Sequence, residues 1–170
     1  MISKKGITKN LKELDALYQN ARGHLKPQLY AKLAIIEVSG WIEECVDSIV
    51  NDLSDDNLLL PKNINQYKND TIKKNSGFQY EFYIRNRLMK DLIGIVLIER
   101  IESILSADPK FIRMVAALQI LTTIRNENAH THISGITPNL IAPSVTSRYF
   151  QDVYDGLTIL NRRLRKIKFK

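Results

Sequence analysis

Apolar residues recur at helical spacing along almost the whole chain, which predicts an all-α protein. The first predicted helix follows Thr8 and ends at Gly23, and a long second helix begins near Pro27. The apolar positions of the second helix are Leu29, Leu33, Ile36, Trp41, Cys45, Val46, Ile49 and Leu53. Residues 52–74 are polar, rich in asparagine and interrupted by Pro61, so this stretch is predicted to be a loop with at most a short helix.

The second half of the chain continues the helical pattern. Residues 79–105 form one apolar helical region that Gly94 is expected to divide. Asp108 and Pro109 are an N-cap and a first-turn proline, and they predict a helix that runs to about His130.

A loop over residues 131–144 is predicted to precede the last helix, which Ser144 or Thr146 is expected to cap. The apolar residues of this helix alternate steps of four and three, which is typical of a packing seam. They are Val153, Leu157, Leu160, Leu164 and Ile167. The seam serves either the core or a second subunit, and the whole pattern predicts one domain over residues 1–170, a bundle of five or six helices.

Composition narrows the class of protein. Hydrophobic residues make up 44% and charged residues 25% of the 170 residues, and no apolar run reaches the roughly 18 residues that span a bilayer. The basic start of the chain is not followed by a signal-peptide core, so we expect a cytoplasmic protein without a membrane partner. Cys45 is the only cysteine, and it and the three histidines lack zinc-ligand spacing, so we expect no metal and no cofactor.

The net charge of +7 is concentrated at the end of the chain. The basic residues there are Arg162, Arg163, Arg165, Lys166, Lys168 and Lys170. The first four are candidate nucleic-acid-binding residues, because clustered cations hold phosphates. The alternative is a solvated helix end whose cations interact favourably with the C-terminal dipole.

Candidate chemistry lies at the end of the helix that begins at Pro109, in the run Arg125-Asn126-Glu127-Asn128-Ala129-His130. Cleavage of RNA by the neighbouring 2′-hydroxyl needs proton transfer and stabilisation of a phosphorane. The imidazole of His130 suits the proton transfer, and the guanidinium of Arg125 suits the phosphorane. Asn126 is a candidate for orienting either group. Each of these residues also has a structural interpretation, as a dipole partner or a C-terminal cap.

Helix geometry predicts that one copy of the run is an incomplete site. Residues five apart differ by about 140° around a helix and 7.5 Å along it, so Arg125 and His130 do not share one face. Two copies across a two-fold axis would supply two arginines and two histidines to one cleft. Glu37, which interrupts an apolar run, and His132 are possible accessory residues. An exposed acid is an equally good interpretation of Glu37, and a loop residue is the better interpretation of His132.

The run resembles the Arg-x4-His motif of the HEPN superfamily, and the helix pattern is similar to RiboL-PSP-HEPN and related stand-alone prokaryotic HEPN nucleases. Asn126 stands at the commonly polar second position, and Ala129 precedes the histidine as is usual there. The resemblance implies a two-fold dimer and metal-independent endoribonuclease activity that leaves a 2′,3′-cyclic phosphate and a 5′-hydroxyl. It also implies a role as a toxin or anti-phage defence effector, with an antitoxin or defence-system partner.

One departure bears on that partner. In HEPN toxins controlled by nucleotidyltransferase antitoxins, a tyrosine stands two residues after the motif histidine, and this chain has His132 there. Inhibition by modification of that tyrosine is therefore not available. The alternative function is a non-catalytic HEPN-type helical module that binds nucleic acid, a nucleotide or a partner protein. A weaker third possibility is attachment of the basic last helix to a membrane surface.

Overall fold

The computed structural model describes residues 2–129 and 140–167. Their six α-helices are α1 (Lys5–Asn20), α2 (Leu25–Asn57), α3 (Pro61–Gln66), α4 (Lys90–Leu105), α5 (Pro109–Ala129) and α6 (Pro143–Leu164). Two π-helical segments, Tyr67–Ile72 and Tyr80–Met89, continue α3 and lead into α4. These ranges contain no β-strand, so the predicted all-α fold is confirmed.

The largest difference from the sequence prediction lies in residues 52–74. The predicted loop is wrong, because α2 continues to Asn57 and the chain is helical again from Pro61 to Ile72. The hydroxyl of Tyr67 is buried and donates a 2.7 Å hydrogen bond to the carbonyl of Leu88, so packing holds this polar segment against the core.

Local residue types predict the breaks and ends of the helices better than they predict residues 52–74. Gly94 divides its helical region as predicted, since its φ of 74° lies in the left-handed region that favours glycine. The prediction of a Ser144 or Thr146 cap is wrong. Helix α6 begins at Pro143 after Ala142, and no side chain caps it, because proline already presets the first turn.

Helix α2 forms the centre of a single hydrophobic core to which α1, α4, α5, α6 and the π-helical segments also contribute. Its buried apolar residues are Ala31, Ala34, Ile35, Val38, Ile42, Val46, Ile49, Val50 and Leu53. Leu29, Leu33 and Ile36 belong to the apolar pattern of this helix, but their side chains are exposed. Together with Leu25 they form an exposed apolar row, called here the α2 stripe.

Helices α5 and α6 pack in an antiparallel pair. Arg113, in the second turn of α5, contacts Asp152 near the middle of α6, and Lys110 lines the same cavity as Arg163. A Cβ atom on Gly156 would overlap the side chain of Met114, so the two helices approach closely there. The α6 seam faces the core, since Val153, Leu157, Leu160 and Leu164 are buried. Among the described residues, no helix combines the length and apolarity that crossing a bilayer would require.

Candidate functional site

Arg125 occupies a position on the buried side of α5. Phe111, Met114, Leu118 and Leu121 follow one another at steps of three and four and are buried. The next two steps of four and three lead to Arg125 and Asn128. The helix therefore places a cation where its own pattern would place an apolar residue, and this cation needs a partner.

The partner is Glu43, near the middle of α2. Nη2 of Arg125 donates to Oε1 of Glu43 over 3.1 Å, and the two side chains are 29% and 33% exposed. Nη1 of Arg125 donates to Oδ1 of Asn126 over 3.2 Å. A guanidinium has five N–H donors, so these two contacts leave others for an anionic ligand.

The remainder of the predicted motif is only partly described. Asn126 is exposed, and its Oδ1 accepts the hydrogen bond from Nη1 of Arg125. The predicted proton-transfer residue His130 and the accessory candidate His132 lie outside the described residues. Glu127 is exposed, and Arg125 forms an ion pair with Glu43 on another helix.

Asn128 is a polar residue that lies in the core. It is 1% exposed, and its amide donates to the carbonyl of Ile124 over 2.7 Å. Its Oδ1 accepts no hydrogen bond from the residues that the structure describes. The same spacing of three and four that identifies Arg125 as a stripe position also identifies Asn128, so this signal was available in the sequence.

Asp47 lies one helical turn beyond Glu43 on α2 and is half-buried. Its burial, and then the neighbouring charge of Glu43, raise the pKa of Asp47 to about 6. A carboxyl group whose pKa is raised toward neutral pH thus lies one turn of α2 from the partner of Arg125. In the sequence, Glu43 and Asp47 are only two of several acidic residues on the second helix. The sequence does not reveal which face of α2 meets α5.

Glu37 lies away from this pair. Its Oε2 accepts a 3.2 Å hydrogen bond from the amide of Asn10, and it lines a groove between α1 and α2. Glu37 precedes Glu43 by six residues, which is about 9 Å along the helix. The structure brings Glu37 to Asn10, and it shows no ion pair between Glu37 and another described residue.

The predicted nucleic-acid-binding residues separate into two groups. Arg162, Arg163 and Lys166 line a cavity of about 650 Å³ that also includes the start of α5. Arg165 turns toward α2 and pairs with Asp52 over 2.7 Å. The cavity, called here the α5/α6 cavity, lies at the opposite end of α5 from Arg125.

Other candidate chemistry is sparse in the part of the chain that is described. There, no three His, Cys, Asp or Glu side chains gather closely enough to hold a metal ion. Burial, and then the charge of Glu44, raise the pKa of the Cys45 thiol to about 12, which makes this sulfur a poor nucleophile at neutral pH.

Comparisons with protein-family models, with curated proteins and with solved structures found no match for this chain.

Proposed function

We propose that the chain is a metal-independent endoribonuclease whose active site forms between two copies. The observation that carries the proposal is the position of Arg125, a half-buried guanidinium that is held at one end and has donors to spare. In the proposed reaction, His130 of one copy accepts the proton of the RNA 2′-hydroxyl as its oxygen attacks phosphorus. The bond to the 5′-oxygen breaks, and His130 of the other copy protonates that oxygen. The products are a 2′,3′-cyclic phosphate and a 5′-hydroxyl.

In this reaction Arg125 binds the phosphorane, and Glu43 and Asn126 position its side chain. The ion pair with Glu43 uses one nitrogen only, so a phosphate can approach the remaining donors without full loss of the pair. The Glu43 carboxylate also lowers the local positive potential. We therefore expect Glu43→Gln to bind RNA more tightly, while the less restrained arginine cleaves it more slowly.

The α2 stripe is the surface that we assign to the second copy. Leu25, Leu29, Leu33 and Ile36 are 53%, 46%, 45% and 38% exposed. At 100° per residue they and Glu43 lie within an arc of about 80° on one face of α2, so the stripe leads directly to the partner of Arg125. A two-fold contact along the stripe would bring both arginines to the edge of one interface.

The size of the stripe is compatible with this assignment. Its four side chains expose on the order of 300–400 Å² of apolar surface, close to the apolar part of the roughly 800 Å² that each partner contributes to a standard interface. We expect the double substitution Leu29→Glu and Leu33→Glu to give monomers in light scattering and to abolish cleavage. Leu59→Glu is the matched control, because Leu59 is 92% exposed and lies outside the stripe.

Cleavage itself is tested with labelled RNA in the presence of EDTA. We expect cutting that continues without divalent metal, and products with cyclic phosphate ends. Arg125→Ala and His130→Ala should each reduce the rate by at least about 100-fold. Intact RNA under all conditions, or undiminished cutting by both variants, would refute the proposed activity.

The alternative is a helical module that binds nucleic acid, a nucleotide or a partner protein without cleaving RNA. The α5/α6 cavity favours it, because this basic surface is remote from Arg125 and needs no chemistry. Binding of RNA without turnover, weakened strongly by salt, would support this alternative.

A biological role follows from the proposed activity. A ribonuclease that acts as a toxin or anti-phage effector should arrest growth when expressed alone, and Arg125→Ala should remove the arrest. Co-expression with genes that neighbour its own would identify an antitoxin or defence-system partner by restoring growth.

A further inference from the structure

The α5/α6 cavity carries an excess of positive charge from two helix ends. Its basic residues are Lys110, Arg113, Arg162, Arg163 and Lys166. Its acidic residues are Asp108 and Asp155. Two of the five cations belong to α5, so the surface is built by tertiary packing and is not only the basic end of the chain.

Several of these charges already have partners. Oδ1 of Asp108 caps α5 by accepting the backbone N–H of Lys110 over 2.9 Å. Arg113 pairs with Asp152 over 3.1 Å. Oδ1 of Asp155 accepts the amide of Gln151 over 2.8 Å.

The other four cations make no ion pair with any residue in the described ranges. They are Lys110, Arg162, Arg163 and Lys166. Only the carboxylates of Asp108 and Asp155 oppose these four cations in the cavity, so a net positive charge remains there.

Helix electrostatics account for only part of this arrangement. The arginines at the end of α6 interact favourably with its C-terminal dipole. Lys110 lies in the first turn of α5, where the dipole disfavours a cation. Lys166 stands three and four residues after Arg163 and Arg162, and like charges at these spacings repel. Stability alone does not explain why these cations meet.

We propose that the α5/α6 cavity binds the phosphate backbone of single-stranded RNA, as an anchoring site separate from Arg125. The proposal of an RNA ligand rests on the function proposed above. Lys110 precedes Arg125 by fifteen residues, which is about 22 Å along α5. A ligand that reaches both places must be a polymer with repeated anionic groups, as a single strand of RNA is. The apolar lining residues of the cavity include Ile159 and Tyr154, which are partly buried because both pack against the core.

The test measures RNA binding in the Arg125→Ala background, where the proposed cleavage is absent. Fluorescence anisotropy with a single-stranded RNA of about 20 nucleotides gives Kd and its dependence on salt. We expect Arg163→Glu and Lys166→Glu each to weaken binding at least about tenfold and to reduce the salt slope by about one. Arg165→Glu is the matched control, because Arg165 lies on the same helix end but pairs with Asp52 outside the cavity.

Lys110→Glu separates binding from folding. A carboxylate in the first turn of α5 suits the helix dipole and relieves repulsion in the cavity, so Tm should stay unchanged or rise. RNA affinity should nevertheless fall at least about tenfold. A merely structural lysine would not combine these two results.

The anchoring site is refuted if the protein does not bind RNA, or if Arg165→Glu weakens binding as much as the cavity variants. It is also refuted if the cavity residues instead govern binding to phosphatidylserine-containing vesicles. Binding that depends on the cavity, in a protein that never cleaves RNA, would reject the proposed ribonuclease and retain the anchoring site. If the cavity variants cleave RNA at the wild-type rate and bind it with unaltered affinity, the anchoring site is rejected and the proposed ribonuclease is retained.

Discussion

Arg125 of α5 and Glu43 of α2 are joined by a single 3.1 Å contact between Nη2 and Oε1, at the point where the buried stripe of α5 turns polar. Both side chains remain about one-third exposed, so water weakens the attraction between them. The pair is therefore better suited to directing a guanidinium than to stabilising the fold.

This relationship predicts that stability and activity separate at position 125. Arg125→Leu continues the apolar stripe of α5, and we expect unfolding free energy within about 1 kcal/mol of the wild type, with no RNA cleavage. Both variants leave Glu43 without this partner, but Arg125→Ala also leaves a gap beside the core, so it should lose about 1–3 kcal/mol. Urea unfolding monitored by circular dichroism measures both. A leucine variant that unfolds more easily than the alanine variant would contradict this interpretation.

Asp47 predicts a dependence of stability on pH. Its folded-state pKa is raised to about 6, above the ordinary value of 3.8, so the folded state binds a proton more readily than the unfolded state. Stability should therefore fall as pH rises from about 4 to about 6, and the loss should remain at higher pH. Asp47→Asn should remove this contribution and be about 1–2 kcal/mol more stable than the wild type at pH 8, allowing for partial exposure.

The measurement is urea unfolding of both proteins at intervals from pH 4 to pH 8. Glu43→Gln provides a second test, because loss of its charge should lower the pKa of Asp47 toward the ordinary value. A stability difference between wild type and Asp47→Asn that is the same at every pH would reject the raised pKa.

Gly156 predicts a packing defect when a methyl group is added. The new Cβ would overlap Met114 at the closest approach of α5 and α6, so the backbones must separate. Gly156→Ala should cost about 1–3 kcal/mol despite the better helix propensity of alanine. Gly40→Ala is the matched control. Gly40 also lies inside a helix but has open space around its Cα, so alanine should stabilise the protein by about 0.5–1 kcal/mol. Equal effects at the two positions would contradict the close approach.

Local signals in the sequence predicted much of the fold. The Asp108–Pro109 pair identified the start of α5 because capping and preset φ act within a few residues, and Gly94 identified a break for a similar reason. Residues 52–74 were misread because their helical state depends on distant packing, such as the contact of Tyr67 with Leu88. The proline, asparagine and charged residues of that segment indicate that it lies at the surface, but they do not determine its backbone conformation.

The candidate site, like the fold, could be predicted only in part from the sequence. Arg125 could be identified from its residue type and spacing, whereas its partner could not. Glu37, Glu43, Glu44 and Asp47 were equivalent in the sequence, because the register between α2 and α5 is a property of the folded core. The same limit explains why Lys110 and Arg113 were not grouped with Arg162 and Arg163, which lie about 50 residues away along the chain.

The length of α5 fixes the distance between the two proposed sites. A continuous helix does not shorten, so Lys110 and Arg125 stay about 22 Å apart along its axis, which corresponds to six or seven stacked nucleotides at roughly 3.4 Å each. A shorter oligonucleotide can occupy one end of the helix but not both. The protein would thus act as a ruler, with cleavage efficiency that rises steeply once the RNA exceeds this minimum length.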